Sequence, residues 1–368
     1  MDVTAAVVRK AGDPFTLEKL KMGAIQADEV LVRIVGTGLC HTDLVVRDQV
    51  LPTPLPAVLG HEGAGVIEAV GADVSRLVPG DHVVLGFAAC RVCDACRSGH
   101  PSYCAQFTAL NFGGCRADGS TCLHNDTGKV SSHFFGQSSF ATHAVVAAQN
   151  AVKVDKDVPL SLLGPLGCGI MTGAGTVFNV LDTQEGETVL VIGGGPVGLS
   201  AVMAAKVRGA SRIVLADPVA ARRAAALDLG ASDVIDVAAG DMAEQLRALL
   251  PQGVNGVLDT SGVPKAIEGG VACLATRGRL ATVGVPRALD ATISLNIVQM
   301  LSRGISVCGV TEGDCDPQTF LPELIALYRE GRFPFDRLIT TYPLARINEA
   351  VAAQHAGACV KVVLTMPE

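Results

Sequence analysis

Tryptophan is absent from this 368-residue chain, and the other aromatics are scarce, with 3 Tyr and 11 Phe. Interior packing must therefore rest on aliphatic side chains, which suits an α/β protein built from Val, Ala and Leu. Basic residues are in deficit. The chain has 29 Lys and Arg against 36 Asp and Glu, a net charge of −7, and no Lys/Arg-rich run. That balance argues against a nucleic-acid partner. Apolar runs of membrane-spanning length are missing, and Met1-Asp2-Val3-Thr4 has no basic leader segment. The expectation is a cytoplasmic protein with no membrane partner. Repeats and low-complexity tracts are missing as well.

What is present points to chemistry. The length exceeds one typical core, so two domains are expected. Glycine is abundant at 41 residues, and there are 12 cysteines. In a cytosolic chain that many cysteines suggest metal or catalysis before disulfides. Cys40, in Leu39-Cys40-His41-Thr42-Asp43, and His61, in Gly60-His61-Glu62, offer a thiolate and an imidazole. A third soft ligand follows far downstream, Cys168 in Gly167-Cys168-Gly169. Two Cys and one His leave the fourth tetrahedral zinc position open, as in catalytic sites. Short strands separated by Gly and Pro, such as 30–36, 65–71 and 82–85, place Cys40 and His61 just outside a mostly antiparallel β region.

Cys90, Cys93, Cys96 and Cys104 have the spacing C-x2-C-x2-C-x7-C. Four thiolates so close together can close a zinc site completely, which makes it structural. An iron–sulfur cluster also uses clustered cysteines, but the x7 interval and the lack of a following Pro fit it less well. The polar stretch between these cysteines has little ability to fold without a metal. Cys115, Cys122, His124, His133 and His143 lack ligand spacing and read as loop or packing residues.

From about Gly169 apolar runs alternate with Ala-rich helical segments. The strand Thr188–Ile192 runs into Gly193-Gly194-Gly195-Pro196-Val197-Gly198, and a helix continues to Val207. A second strand, 212–216, ends in Asp217, nineteen residues beyond Gly198. A G-x-G-x-x-G between strand and helix with an acid at that distance is the dinucleotide fingerprint. Its glycines admit a pyrophosphate to the helix N-terminus. Asp217 can accept from the ribose hydroxyls and would repel a 2′-phosphate, favouring NAD over NADP, with Arg222 and Arg223 close by. Further strands at 234–236, 256–259, 279–283 and 305–310 give a doubly wound parallel sheet. Thr260, Ser261, Val283, Gly284 and Val285 follow strand ends and are candidate cofactor contacts. Helices are expected at 317–328 and 347–353, with a closing strand over 360–366.

Taken together, Cys40-His41-Thr42-Asp43, Gly60-His61-Glu62-Gly63-Ala64-Gly65, the four-cysteine lobe, Gly167-Cys168-Gly169 and the Gly193–Gly198 turn resemble the zinc-dependent medium-chain alcohol dehydrogenases. The likeness is closest to the bacterial aryl (benzyl) alcohol dehydrogenases. It implies a zinc-binding GroES-like catalytic domain, residues 1–169 and 309–368, with a Rossmann domain, 170–308, inserted in it. It implies two zincs and NAD, with Cys40, His61 and Cys168 holding the catalytic zinc and Glu62 behind it as an alternate ligand. By the same resemblance Asp43 supports His61, Thr172 and Val197 contact the nicotinamide, and His41 and Lys361 contact the pyrophosphate. It further implies a homodimer or homotetramer formed through the cofactor-domain sheet edge. Thr42, beside Cys40, is the natural first proton acceptor, with a helix N-cap role as its alternative. An alcohol acidified by the zinc would pass hydride to the nicotinamide.

Two departures bear on substrate and proton exit. Val45 stands where many relatives carry the relay's final His, so no terminal base is assigned. Gly86 stands where some relatives place a bulky wall, so with Leu51, Phe134 and Phe135 an apolar slot for an aromatic or allylic alcohol is expected. The runner-up is a thiol-adduct formaldehyde dehydrogenase with Arg116 as its candidate anion contact. A zinc-stabilised nucleotide-binding protein without catalysis is a further alternative.

Overall fold

The computed structural model describes residues 1–126 and 128–367. Two compact units divide the chain. The first comprises Met1–Cys168, Asp316–Glu323 and the chain from Asp336 onward; the second comprises Gly169–Cys315 and Leu324–Phe335. Residues 312–315 join the second unit by close packing: a Cβ at Gly175 would lie 2.1 Å from Cys315 Sγ, and the Asn179 amide donates to the carbonyls of Gly313 and Asp314.

The first unit is built of two sheets. Its seven-stranded sheet is centred on the long strand Glu29–Leu39, which pairs antiparallel with Gly63–Val70, His143–Ala147 and Lys361–Thr365. Val30, Val32 and Ile34 point inward at period two and join Ile67, Val83 and Leu85 in the core. Register determines what meets at the sheet's end. Thr37 stands opposite Gly63 and Val362 opposite Leu39, so Cys40, His61-Glu62 and Lys361 converge there from three distant stretches. Gly65 is required by close approach, since a Cβ there would lie 2.2 Å from the Arg33 carbonyl oxygen. The sequence did not announce the smaller five-stranded sheet, which begins with the antiparallel pair Asp2–Val8 and Thr16–Met22.

The second unit holds a six-stranded sheet: β1 (Thr188–Ile192), β2 (Arg212–Ala216), β3 (Asp233–Ile235), β4 (Val254–Asp259), β5 (Leu274–Thr282) and β6 (Ser306–Gly309). All pairs are parallel, in the order β3-β2-β1-β4-β5-β6. This is the doubly wound dinucleotide-binding order, whose switch point between β1 and β4 is where a ligand lies. In the helix Pro196–Val207 every residue from Gly198 to Ala205 is buried. No single helix among the described residues is long and apolar enough to cross a membrane.

One buried histidine makes stability pH-dependent. His133 is 5 % exposed, and burial, reinforced by the Arg116 guanidinium and opposed by Glu29 and Asp118, holds it down to about 4 against an ordinary 6.5. Between those values only the unfolded chain takes up the proton, so stability falls as pH is lowered from about 6.5 towards about 4. At pH 5 the loss amounts to about 2 kcal/mol, at about 1.4 kcal/mol per pH unit. His133→Gln should lose correspondingly less between pH 7 and pH 5 in urea unfolding. An unchanged pH slope would contradict the assignment.

Candidate active site and metal centres

Cys40 directly follows the central strand and stands at the N-cap of the helix His41–Arg47. Asp43, at the third helical position, accepts from the Cys40 N–H at 2.9 Å, an acid where a capping box wants one. The same buried carboxylate accepts from the Gly60 N–H at 3.1 Å and lies 2.9 Å from His61 Nδ1. Three donors thus converge on one side chain. A proton on Nδ1 leaves the lone pair of Nε2 free, and Nε2 is buried with no hydrogen-bond partner. Cys40, His61, Glu62 and Cys168 each present one donor atom, all within 4.8 Å of one another. The hydrogen bond from Cys168 lowers the Cys40 thiol well below its ordinary value; burial opposes this, and His61 assists. A depressed thiol, an orphaned imidazole nitrogen and an oriented tautomer suit a zinc ion with an open position.

Behind this group lies a buried ion pair. Lys361 Nζ is 2.7 Å from Glu62 Oε1 and donates to the Leu39 carbonyl at 3.2 Å. Burial pushes Glu62 up to about 7 against the pull of Lys361. Gly38 makes room for the carboxylate, because a Cβ there would lie 1.8 Å from Glu62 Oε2.

In the lobe, Cys90, Cys93, Cys96 and Cys104 bring four sulfurs within 4.8 Å, and none is in a disulfide. Backbone N–H groups of Cys93, Ala105, Cys90 and Gln106 donate to the sulfurs of Cys90, Cys93 and Cys104 at 3.2–3.4 Å. Those from Ala105 and Cys96 bring Cys93 down to about 6, while burial and the neighbouring thiols push Cys96 up to about 12. Four such sulfurs cannot all be thiolates without a cation between them, and zinc fits.

The glycine turn of the second unit is built as the fingerprint requires. Gly193 is left-handed at φ 98°. A Cβ at Gly198 would lie 1.8 Å from the Gly193 carbonyl oxygen, whereas at Gly195, the N-cap of the helix opened by Pro196, it would meet nothing within 4 Å. That open cradle fits a pyrophosphate. Asp217 is buried at the end of β2, accepting from Gly194 N–H and Val219 N–H at 2.7 Å each. Arg222 lies 3.7 Å from it, and Arg223 is tied to Asp236 at 2.7 Å. The helices carrying Thr172 and Val197 pack so closely that a Cβ at Gly173 would lie 2.0 Å from the Val197 carbonyl oxygen. Val283 donates to the Asp259 carbonyl, and Val285 is exposed. Asp259, which the sequence reading passed over, organises this strand end by accepting from Ser261, Gly262 and Thr282.

Comparison with known proteins agrees with this geometry. Residues 26–156 match the family described as "Alcohol dehydrogenase GroES-like domain" and residues 196–330 the one described as "Zinc-binding dehydrogenase". Geraniol dehydrogenase of Castellaniella defragrans is 49 % identical over 362 residues, 98 % of this chain and 96 % of that protein. The chain belongs to the zinc-binding medium-chain alcohol dehydrogenases. Among solved structures, a zinc-binding-domain alcohol dehydrogenase protein from Burkholderia ambifaria is 49 % identical with TM-score 0.98. Benzyl alcohol dehydrogenase from Acinetobacter calcoaceticus is 45 % identical with TM-score 0.97, and each match covers 100 % of both chains.

Several expectations for this dehydrogenase need correction. Gly86 does not open a pocket, because a Cβ there would meet Pro317 side-chain atoms at 3.0 Å. Thr42 is not an N-cap; Cys40 holds that position. Arg116 offers no free cation to an anionic adduct, since it grips Glu29 through Nε and Nη2 at 2.6 and 2.9 Å. Lys361 turns its ammonium to Glu62, leaving none of it for a phosphate in this structure. Phe134 and Phe135 are buried, Phe135 stacked on His61 at 4.5 Å and Phe134 edge-on at 5.4 Å. Leu51 is half-buried and His41 exposed at the helix start. The buried amide of Gln137, unremarked in the sequence, donates to the His61 carbonyl at 2.9 Å and accepts from Gly63 N–H at 3.0 Å. No local spacing signals it.

Proposed function

We propose that this dehydrogenase oxidises primary aromatic and allylic alcohols to aldehydes, reversibly, with NAD. The observation carrying the substrate class is full-length identity of 49 % and 45 % to proteins named for geraniol and benzyl alcohol. Cys40, His61 and Cys168 are the proposed ligands of the catalytic zinc, with Glu62 an alternate one, and the lobe cysteines hold the structural zinc. When bound, the catalytic zinc acts as a Lewis acid that acidifies a hydroxyl in its open position. NAD, when bound, accepts the hydride. Around these groups the chain's own residues orient and move protons. Asp43 fixes the tautomer of His61. Thr42, next to Cys40, receives the alcohol's proton, and with Val45 three residues on the chain supplies no ionisable acceptor there. Leu51, Phe134 and Phe135 are the proposed apolar walls. Gly193, Gly195, Pro196 and Gly198 receive the pyrophosphate, Thr172 and Val197 contact the nicotinamide, and Asp217 selects against a 2′-phosphate.

The test is kcat/KM for benzyl alcohol, geraniol and ethanol, each with NAD and NADP. Ring and allylic substrates should exceed ethanol, and NAD should exceed NADP. Ethanol as the best substrate would overturn the aryl and allylic reading, and preference for NADP the role of Asp217.

The enzyme is also proposed to work as a homo-oligomer joined at β6. This edge strand is mostly exposed, and beside it the helix Ile297–Arg303 buries none of its residues, leaving Ile297, Val298 and Leu301 more than 70 % exposed. Apolar side chains so displayed mark an interface. Leu301→Asp should reduce the sedimenting mass towards the 37.8 kDa of one chain; an unchanged mass rules this contact out. None of the twelve cysteines is in a disulfide, which supports a reducing, cytoplasmic setting.

A further inference from the structure

The phenylalanine pair does more than line a wall. Phe135 is buried and left-handed, at φ 50° and ψ 33°, a conformation that a bulky side chain adopts only where its surroundings over-determine it. Those surroundings are specific. Gly136 follows at φ 66°, and a Cβ there would lie 2.9 Å from the Ala88 side chain. Ser138 Oγ accepts from Phe134 N–H at 3.0 Å and donates to the Val58 carbonyl at 2.6 Å, while Gln137 grips the His61 backbone. The turn aims the Phe135 ring flat against the His61 imidazole, 4.5 Å between centroids and 27° between planes, while Phe134 meets the imidazole edge-on at 5.4 Å and packs against Phe135 at 4.9 Å.

Phe135 also packs against rings that lead to the lobe. The helix Phe107–Phe112 begins three residues after Cys104, whose carbonyl accepts from Phe107 N–H at 2.8 Å. Buried Asn111 pins that helix by pairing with both the N–H and the carbonyl of Ala88 at 2.9 Å. Phe107 and Phe112 then meet Phe135 edge-on at 6.2 and 5.2 Å, and Phe112 meets Phe134 at 6.0 Å. A continuous set of packed rings therefore runs from Cys104 to the imidazole.

We propose that Phe135 is a positioning residue that sets the ring plane of His61, and that the helix after the four-cysteine lobe holds Phe135 there, so that the lobe steadies the geometry of the other metal site. The proposal rests on His61 being a ligand of that site, as in the function above. A mere core filler would cost stability alone. A positioning ring also alters the bound metal. Like other groups that orient a metal-binding histidine, its loss should weaken metal retention about tenfold or more.

The test uses full-length protein with cobalt in the catalytic site and zinc in the lobe. Phe135→Met keeps the volume but loses the flat ring, Phe135→Tyr keeps the ring, and Phe112→Leu removes a support that does not touch His61. The expected result is a shifted cobalt d–d spectrum and about tenfold faster loss of one ion to a chromogenic chelator in Phe135→Met. Wild-type behaviour should return in Phe135→Tyr, and Phe112→Leu should show a smaller shift in the same direction. A wild-type spectrum and release rate in Phe135→Met overturn the positioning role, and both unchanged in Phe112→Leu overturn the link to the lobe. Absence of thiolate-to-cobalt bands from the wild type itself would instead remove the ligand assignment, and the tether with it.

Discussion

Lys361→Met should lower the unfolding free energy by about 3–5 kcal/mol, the cost of leaving one partner of a buried ion pair alone. Lys361 is 1 % exposed and Glu62 fully buried, so water cannot replace the lost ammonium. Strand pairing of Val362 with Leu39 holds the lysine backbone where it is, so backbone relaxation there cannot bring another side-chain cation to the carboxylate. Methionine matches the lysine stem in length and volume, which keeps the packing change small. Adding Glu62→Gln should recover most of the loss, because an amide can remain buried at far less cost than an unpaired carboxylate. Urea unfolding of the wild type, the two single variants and the double variant, all with zinc kept in the lobe and removed from the catalytic site, measures the coupling. If the losses of the two single variants simply add in the double variant, the two side chains do not interact energetically.

That pair also illustrates what the sequence can and cannot convey. The four-cysteine lobe and the Gly193–Gly198 turn were legible because each is local: donor atoms within fifteen residues, or glycines fixed in number between a strand and a helix. Cys40 and His61 were legible through their neighbours, since Asp43 and Glu62 travel with them. The Lys361–Glu62 contact spans 299 residues, and nothing near Lys361 announces that its strand lies against Leu39. Resemblance therefore sent its charge to the cofactor. Gly86 failed for the same reason, because the space beside it is filled by Pro317, whose approach depends on tertiary packing alone. Short or polar strands such as Leu123–Asn125 carry too little alternation to be read. Where periodic segments were read, their ends shifted by a few residues, as with 279–283 against the observed Leu274–Thr282.

The lobe should be the part of the chain most dependent on its metal, and Cys93→Ser should expose this. Its short helix, Asp94–Arg97, has no buried residue, so hydrophobic packing contributes little to holding it folded. Cohesion must come from metal–sulfur bonds, and for small zinc modules the apparent binding free energy is about 10–16 kcal/mol. Serine at position 93 removes a thiolate that accepts from Ala105 N–H, which also frees the chain leading into the helix Phe107–Phe112. Metal content should fall from two ions per chain to one. Trypsin should then cut after Arg97, which is exposed but held at the end of that short helix, at least about tenfold faster, as expected when a segment opens locally at a free-energy cost lowered by about 1.4 kcal/mol or more. Two ions per chain together with wild-type resistance to trypsin in Cys93→Ser would show that the lobe folds without its fourth thiolate, and the structural-zinc reading would fall.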